Sequence, residues 1–589
     1  MAPGFFYAIS SRQQVVLASS GRQDHHVRFT VAVIPAHLNS VLDSTVEKFT
    51  LIIVMILYQA ENRLLIHCLL CTILLVTGRS IISCTNASRS PARETIAAIN
   101  LKKGNIVYCG PPGKQYGDVN FETSCSGVVT ADFNLGMALL HSFEYDEAEK
   151  AFAKVIDAEP RCAMAYWGVA MSNYHQVWPS PPSDIELEKG KRSIDLALTL
   201  KGNSEKETAY LQAMDVFYND YQTKNHRSRS VAFTNAMEAL YKKYPADKEA
   251  AIFYALALDG SADPADKTFS NQKKAGTILN ALYPGEPDHP GIVHYIIHSY
   301  DSPELAALAL PAARKYAAIA PSSAHAQHMP SHIFTRLGLW DEAIQSNVLS
   351  TASAKCYAET AGIKGHWDEE LHGLDYLEYA YLQKGDSVAA KKLLDYLYSI
   401  REVYPQNFKV AYAFAAIPAR YYLENRQWKA AAELKTYPEN FPWQKFPWQR
   451  ALTHFARLLG NAQLGNNGLA RSELAKLHGI HDTLLAMKDT YKATQVMIQL
   501  QTGEAWILFK EGRRAEGLAL MTSAATLEDN TEKSPVTPGE LLPAKELLAD
   551  MLLVAGKNNA ATLAYQQDLQ KHPNRRNGLA GLKSASHKE

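Results

Sequence analysis

Four histidines form two pairs whose spacing is that of metal ligands on one helix face. The pairs are His294 with His298 and His328 with His332. Side chains at i and i+4 lie one turn apart on the same face of an α-helix. The second pair follows the first after 34 residues. If two such helices pack side by side, the imidazoles of both pairs can converge on a transition-metal ion.

Further histidines and one aspartate extend this pattern. His141 and His175 are again separated by 34 residues, and His372 precedes Asp375 by one helical turn. Asp375 could bind the ion directly, or it could accept a hydrogen bond from His372 and orient that ring. The predicted metal ligands are His294, His298, His328, His332, His372 and Asp375, and the additional candidates are His325, His141 and His175.

The donor set limits which cofactor is expected. Imidazoles, alone or with a carboxylate, suit zinc, copper, iron or nickel. We expect zinc or copper if a metal is bound at all. Two alternatives need no metal: the imidazoles could hydrogen-bond to a carboxylate or to the backbone of a partner peptide, or they could simply fill a polar groove.

A proline interrupts the second histidine pair. Pro330 stands between His328 and His332 in the string HMPSH. Proline is tolerated in the first turn of a helix but breaks its interior. Either the helix begins near Met329, which leaves His325 and His328 in the preceding turn, or the helix kinks there.

The elements that must position these side chains follow from a repeat of about 34 residues. One copy begins at Val129 and carries the residues typical of a tetratricopeptide repeat (TPR), namely Leu135, Gly136, Ala148, Phe152 and Pro160. Small residues let the two helices of a repeat approach closely, and the proline ends the second helix. The same register predicts repeats that start at Pro290, Ala324 and Leu371, and a last copy with Gly556, Ala561, Tyr565 and Pro573. Fainter copies occupy 412–445, 451–484 and 498–531, and residues 200–289 are helical by pattern but out of register.

The repeats predict an all-α fold, an α-solenoid of TPR-like helix hairpins over residues 105–585. Stacked hairpins form a superhelix with an extended concave face. The first helix of each repeat lines that face, and its positions two, five, nine, twelve and thirteen point into the groove. All nine candidate ligands fall on those positions, so we expect them on one groove face.

Several strings of this chain, in the same order, resemble a family of bacterial TPR proteins. They include ADFNLGMALLHSFEYDEAEKAF, HPGIVHYIIHSYDSPELA, HAQHMPSHIFTRLGLWDEAIQSN and ELHGLDYLEYAYLQKGD. The resemblance covers about residues 105–585. It implies the solenoid fold, and it implies that the candidate histidines and Asp375 belong to a shared pattern. It implies no reaction.

The N-terminal region looks like an export signal. Residues 62–84 carry Arg63, then an apolar run over 64–76, then a lipobox-like end at Cys84. That run is too short to span a bilayer comfortably. We expect cleavage before Cys84, a lipid on its thiol as the sole membrane anchor, a tether over 85–104, and a periplasmic or membrane-anchored protein. Residues 1–61 are expected to be an unstructured extension or to lie largely ahead of the true start, which we place near Met55 or at a non-Met codon. The alternative is a short anchor made from 49–58 and 64–76.

Composition narrows the range of partners. Lys plus Arg and Asp plus Glu are both 60, so the formal net charge is zero and nothing favours nucleic acid. Cys109 and Cys125 bracket a Gly/Pro-rich stretch, and in an oxidising compartment a disulfide between them is expected. The body of the chain has no CxxC pair, which argues against a thiolate zinc site.

Three functions are consistent with these patterns. The first is a cell-envelope scaffold that binds a protein or peptide partner and holds a His-rich metal site in its groove. The second is a metal-dependent enzyme that uses an open coordination position, assisted by Asp375 or Tyr379. The third is a metal-free peptide-recognition module, for which chelators would change nothing.

Overall fold

The computed structural model forms two compact units, residues 1–89 and 90–589. In the first unit, strands β1 (Val15–Ala18) and β2 (Thr30–Val33) pair antiparallel. The predicted export segment 62–84, with Cys84, lies outside the described residues. The described residues are 15–18, 30–33, 90–111, 115–175, 177, 181–531 and 534–587. Within them, no helix combines the length and the apolar character that a membrane crossing requires.

The second unit is an α-solenoid, as predicted. Its first half carries helices that share one core. These helices are α1 (Arg93–Ala97), α2 (Thr130–His141), α3 (Tyr145–Ala158), α4 (Ala163–Ser172), α5 (Asp184–Thr199), α6 (Glu205–Tyr218), α7 (His226–Lys243), α8 (Lys248–Gly260), α9 (Ser270–Leu282), α10 (Pro290–Ser299), α11 (Ala306–Ile319), α12 (Ala324–His328), α13 (Pro330–Arg336) and α14 (Trp340–Thr360).

The second half has its own core, with a smaller cluster at its end. Its helices are α15 (Asp368–Lys384), α16 (Ser387–Leu397), α17 (Phe408–Glu424), α18 (Trp428–Ala432), α19 (Pro447–Gln463), α20 (Asn467–Ala486), α21 (Thr490–Lys510), α22 (Arg514–Asp529), α23 (Ala544–Val554), α24 (Asn558–Lys571) and α25 (Arg576–Ser586). Two short strands, β3 (His366–Trp367) and β4 (Val403–Tyr404), pair in parallel beside α15.

The repeat register is confirmed by the packing of α2 on α3. A Cβ atom added at Gly136 would stand 2.8 Å from the ring of Phe152, and one added at Gly168 would stand 2.6 Å from it. Ala148 is fully buried at the same contact. Small residues at these positions therefore let the aromatic ring fill the space between neighbouring helices. The helices predicted out of register within 200–289 are α6 to α9.

The predicted tether is partly folded. Helix α1 lies inside 85–104, and Ile99 belongs to the first core with 2% of its surface exposed. The backbone N–H of Lys102 donates to Glu149 of α3 at 2.7 Å. The solenoid unit therefore begins ahead of residue 105, because this segment buries an apolar side chain against the first hairpin.

The helix is interrupted at the proline, as both predicted outcomes require. Helix α12 ends at His328 and α13 begins at Pro330, while Met329 between them keeps helical backbone angles (φ −53°, ψ −36°). The N–H of Met329 still donates to the carbonyl of His325 at 2.9 Å. The backbone therefore stays helical through Met329, with His325 and His328 before the break and His332 after it.

The inner face is filled by the chain itself. Contacts join elements far apart in sequence: His294 Nδ1 lies 2.7 Å from the carbonyl of His141, and Trp340 Nε1 donates to the carbonyl of Asn574 at 2.9 Å. Predicted groove positions such as His328 are consequently buried. The expectation of an open groove at these residues is corrected, because remote helices pack onto the face that the repeats alone would leave exposed.

The predicted Cys109–Cys125 disulfide is wrong. Cys109 is bonded to Cys356 on α14, with a Cα–Cα distance of 5.8 Å. Cys125 is bonded to Cys162 at the start of α4, with a Cα–Cα distance of 5.2 Å. The physical reason is the fold, which places Cys109 next to α14 and Cys125 next to the start of α4.

Candidate metal centre

The first triad consists of His294, His298 and His325. Helix α10 presents His294 and His298 one turn apart, and α12 supplies His325. The Nε2 atoms of His298 and His325 each lie 3.1 Å from Nε2 of His294. His294 and His325 are buried and His298 is half-buried. The sequence predicted that this i, i+4 pair would meet the pair His328 and His332; instead it meets His325, which was only an additional candidate.

The second triad consists of His328, His332 and His372. His328 closes α12, His332 lies on α13, and His372 lies on α15, which packs against α12 and α14. Nε2 of His328 lies 3.0 Å from Nε2 of His332, and the ring centroids of His328 and His372 are 4.2 Å apart. All three side chains are buried. Within each triad, one potential ligand atom per residue lies within 4.8 Å of the other two.

Hydrogen bonds at Nδ1 fix the tautomers of the second triad. His328 Nδ1 lies 2.7 Å from Oδ1 of Asn347, whose amide nitrogen donates to the carbonyl of Ala343. His332 Nδ1 lies 3.0 Å from a carboxylate oxygen of Asp301. Both partner oxygens accept, so both Nδ1 atoms carry the proton. In the neutral rings, two Nε2 lone pairs therefore face each other at 3.0 Å.

The first triad has the same arrangement at its centre. His294 Nδ1 donates to the backbone carbonyl of His141 at 2.7 Å, because a carbonyl can only accept. Nε2 of His294 then carries a lone pair, and two imidazole nitrogens approach that one atom. A single in-plane lone pair accepts at most one of them as a linear hydrogen-bond donor. At most one of the contacts from His298 and His325 is therefore a linear hydrogen bond to Nε2 of His294.

The nitrogens of the triads could avoid facing lone pairs if some rings were protonated, but burial disfavours protonation. Burial, followed by the neighbouring His298 and His325, holds the pKa of His294 well below its ordinary value. Burial and then His372 and His332 do the same for the pKa of His328. The pKa of His298 falls to about 3, again chiefly through burial. The rings of His294, His298 and His328 are therefore neutral near pH 7, which is the protonation state that binds metal ions.

The nitrogen separations suit a bound ion. Zinc–imidazole bonds of about 2.0–2.1 Å at tetrahedral angles place ligand nitrogens roughly 3.3 Å apart. The observed separations of 3.0 to 3.1 Å are close to this value. Small outward movements of the rings would accommodate the ion. Three nitrogens per triad leave one position of a four-coordinate ion open.

The candidate His141 belongs to a third group, with Glu249 and His289. Nε2 of His141 and Nε2 of His289 each lie 2.9 Å from a different oxygen of Glu249. Although burial opposes ionisation, the two imidazoles outweigh it and hold the pKa of Glu249 far below its ordinary value. Here each imidazole faces a carboxylate oxygen rather than another imidazole nitrogen, while Nδ1 of His289 is buried without a hydrogen-bond partner.

Two predicted residues stand apart from the triads. Asp375 pairs with Arg420, whose Nη1 donates to its Oδ1 at 2.6 Å. His175 adopts a left-handed backbone angle (φ 53°), and its Nε2 lies 3.1 Å from the carbonyl of Ser172. Neither belongs to a group of three converging ligands within the described residues. Tyr379, the other suggested assistant, contacts Arg575 through its hydroxyl at 2.9 Å.

Several important residues escaped the sequence argument. Asn347 and Asp301 orient the second triad, but they lie on α14 and in the turn after α10, outside the groove positions of the repeat. Glu249 and His289 also lie off those positions. The one available signal was that buried histidines need acceptors for their second nitrogen, and sequence alone does not say which residues supply them.

One carboxylate lies between the triads. Glu369 Oε2 is buried without a hydrogen-bond partner, 3.9 Å from Nδ1 of His325. Its other oxygen pairs with Lys409, which also binds Asp368 at 2.6 Å. Burial opposes ionisation, but Lys409 and then His325 hold the pKa of Glu369 well below its ordinary value. Glu369 is therefore an ionised group beside the first histidine triad.

Comparison with known proteins provides only distant similarities. No family model matches the sequence. No curated protein matches it. Among solved structures, the APC/C hetero-tetramer Cut9–Hcn1 is 13% identical, with 84% of this chain and 80% of that chain covered and a TM-score of 0.30. IFIT1 bound to Gppp-AAAA is 11% identical, with 77% and 95% covered and a TM-score of 0.30. The TPR domain of P58(IPK) is 12% identical, with 78% and 98% covered and a TM-score of 0.19. Scores of this size carry no conclusion about function.

Proposed function

We propose that this protein is a metal-binding α-solenoid in which each histidine triad holds one transition-metal ion. The observation that carries the proposal is the 3.0 Å separation between Nε2 of His328 and Nε2 of His332, where neutral rings would direct two lone pairs at each other. Neutral lone pairs at that distance repel, and burial disfavours a proton between them. A cation bound to both nitrogens removes the repulsion.

The donor atoms limit which metal ions the triads can bind. Six imidazoles without a thiolate suit zinc or copper, with iron and nickel also within the range of the donor set. The hydrogen bonds from Nδ1 to Asn347, Asp301 and the His141 carbonyl resemble the outer contacts that orient metal-binding histidines in general. We therefore assign these three acceptors a supporting role in metal binding.

The test is the metal content of the full chain, produced without a polyhistidine tag. We expect one ion per triad by mass spectrometry after incubation with zinc or copper. His298→Asn should remove the ion of the first triad, and His332→Asn the ion of the second. Each substitution removes one ligand and keeps the residue polar and of similar size.

The matched control is His478→Asn, because His478 is an exposed histidine on α20. This variant should retain both ions. Far-ultraviolet circular dichroism checks that every variant keeps its helices. The proposal fails if the folded wild-type chain binds none of the four metals, or if the two triad variants retain as much metal as the control.

Catalysis is a second candidate, because three nitrogens leave a coordination position for water or substrate. Partial exposure of His298 gives that position a route to solvent. A hydrolytic or redox activity that requires both the metal and His298 would support this candidate. Activity that survives complete metal removal would exclude it.

We also propose that the protein is exported, as the N-terminal pattern predicted. Two disulfides in the described part of the chain support an oxidising compartment. Cell fractionation with N-terminal sequencing tests this: a mature chain that begins at Cys84 with a lipid supports it, and a cytoplasmic chain with reduced cysteines contradicts it.

A protein or peptide partner is the remaining part of the predicted scaffold function. A surface cavity of about 660 Å³ supports it, lined by Tyr398, Tyr422, Tyr437 and Arg401 among others. Tyrosine and arginine are enriched at the centres of protein interfaces. A photo-crosslinker at Tyr437 should capture a partner that a crosslinker at exposed Leu469 does not; equal capture at both would contradict the assignment.

A further inference from the structure

A segment ahead of the first hairpin lies against the turns that precede two helices of the triads. This segment, called the strap, consists of residues 107–111 and 115–118. The N–H of Asp118 donates to the carbonyl of Asp288, in the turn before α10, at 3.1 Å. The N–H of Ser322, in the turn before α12, donates to the carbonyl of Gln115 at 3.0 Å. The strap therefore holds the start of both helices, and α12 supplies one histidine to each triad.

The strap packs closely on these two turns. A Cβ atom added at Gly110 would stand 2.8 Å from the carbonyl carbon of Pro321. One added at Gly117 would stand 2.9 Å from the carbonyl oxygen of Asp288. Gly110 also donates from its N–H to Oγ of Ser322 at 2.9 Å. Displacement of the strap would therefore remove packing and hydrogen bonds at both turns.

One covalent bond fastens the strap to the solenoid. The Cys109–Cys356 disulfide joins it to α14, whose Asn347 accepts from His328 of the second triad. Both of these cysteines are half-buried, whereas Cys162 of the other disulfide is only 1% exposed. Because thiol–disulfide exchange depends on access to the sulfurs, the strap disulfide is the one that a thiol from solvent reaches more readily.

We propose that the Cys109–Cys356 disulfide is a redox switch for metal binding: a small thiol, of the class of glutathione, opens it, frees the strap and loosens both triads. Two small thiols give two electrons and two protons to the protein disulfide. Their sulfurs form a new disulfide, and the protein S–S bond becomes two thiols. The same exchange in reverse, with a small disulfide, fastens the strap again. This inference rests on the proposed metal binding and adds the regulation of that site.

The first experiment treats the zinc-loaded full chain with reduced glutathione, and alkylation followed by mass spectrometry identifies the cysteines that open. We expect Cys109 and Cys356 to be alkylated before the other pair. As they open, the zinc affinity, measured by competition with a chromogenic chelator, should fall by about tenfold, as after loss of an outer contact of a ligand. Full zinc affinity after this bond has opened overturns the switch, and so does earlier opening of Cys125–Cys162.

Two double variants provide the matched controls. Cys109→Ala with Cys356→Ala should show the low zinc affinity without glutathione and no further response to it. Cys125→Ala with Cys162→Ala should keep the affinity and the glutathione response of the wild type. A glutathione response that persists in the first variant overturns the assignment to the strap disulfide.

Hydrogen exchange separates release of the strap from a general loss of stability. In the metal-free chain, opening of Cys109–Cys356 should raise amide exchange in α10 and α12. Exchange in α21 should stay unchanged, because α21 belongs to the second core. Equal increases throughout the chain overturn the strap as the cause. A chain that binds no zinc overturns both the metal site and its switch, whereas zinc binding that does not depend on the disulfide overturns only the switch.

Discussion

At the scale of single residues, the hydrogen bond that Nδ1 of an imidazole makes determines whether its Nε2 carries a proton or a lone pair. His294, His328 and His332 each donate a proton from Nδ1 to a fixed acceptor. Nε2 is thereby left as a lone pair in the interior of each triad. The chemistry of the centre depends as much on these acceptors as on the histidines themselves.

Loss of one acceptor should weaken one site only. Asn347→Leu removes the oxygen that accepts from His328, so we expect the affinity of the second triad for zinc to fall by about 10- to 100-fold. The first triad should keep its affinity. Competition with a chromogenic chelator measures both sites. Asn347→Asp retains an acceptor oxygen and serves as the matched control; an equal loss in both variants would contradict the role of the hydrogen bond.

The spacing of the histidines predicted most members of the two triads, but not which histidine belongs to which triad. Pairs at i and i+4 and the 34-residue register placed five of the six triad histidines among the leading candidates. Sequence could not show that His325 would join His294 while its neighbour His328 joined His372. That choice depends on the relative rotation of α10, α12 and α15, which is set by packing.

At the scale of elements, helix approach depends on small residues that face large rings. Gly136 on α2 and Gly168 on α4 both face Phe152, and neither has room for a Cβ atom. The repeat pattern predicted the small residue at Gly136 and the aromatic ring at Phe152, because both types recur at fixed positions, but it did not single out Gly168. It could not predict the Asp375–Arg420 ion pair, which diverts a predicted metal ligand, because α17 approaches α15 through side chains that the repeat does not specify.

A methyl group at this contact should destabilise the first half of the solenoid. Gly136→Ala places a carbon 2.8 Å from the ring of Phe152, and overpacking of this kind costs about 1–3 kcal/mol. Urea denaturation followed by circular dichroism measures the change. Gly479→Ala is the control, because a Cβ atom there would meet no described atom within 4 Å. That control should gain about 0.5–1 kcal/mol from helix propensity; loss of stability in both variants would contradict the packing argument.

At the scale of the whole solenoid unit, remote contacts make it more than a chain of nearest neighbours. The Cys109–Cys356 disulfide joins residues 247 apart, and Arg575 donates to Tyr379 across 196 residues. A periodic sequence pattern predicts each repeat and its packing on the next repeat. It contains no signal for contacts between residues that are some 200 positions apart. This is why an open groove was expected where the structure buries the histidines.

The disulfide that closes the longer loop should contribute more to the free energy of unfolding than the disulfide that closes the shorter loop. Loop entropy assigns roughly 5.5 kcal/mol to the 247-residue bridge and roughly 3.8 kcal/mol to the 37-residue bridge. Replacement of both cysteines by alanine should therefore cost about 2 kcal/mol more for Cys109–Cys356 than for Cys125–Cys162. Thermal and urea unfolding of the two double variants measures the difference, and a larger loss for Cys125–Cys162 would contradict the argument.

The most direct test of metal binding is anomalous diffraction at the zinc edge, from crystals of the full chain grown with zinc. We predict one peak in each triad, bonded to the three imidazoles at about 2.0–2.1 Å. The His141–Glu249–His289 group should show no peak, because its nitrogens already face a carboxylate. Crystals that diffract well and show no zinc at either triad would contradict the central claim.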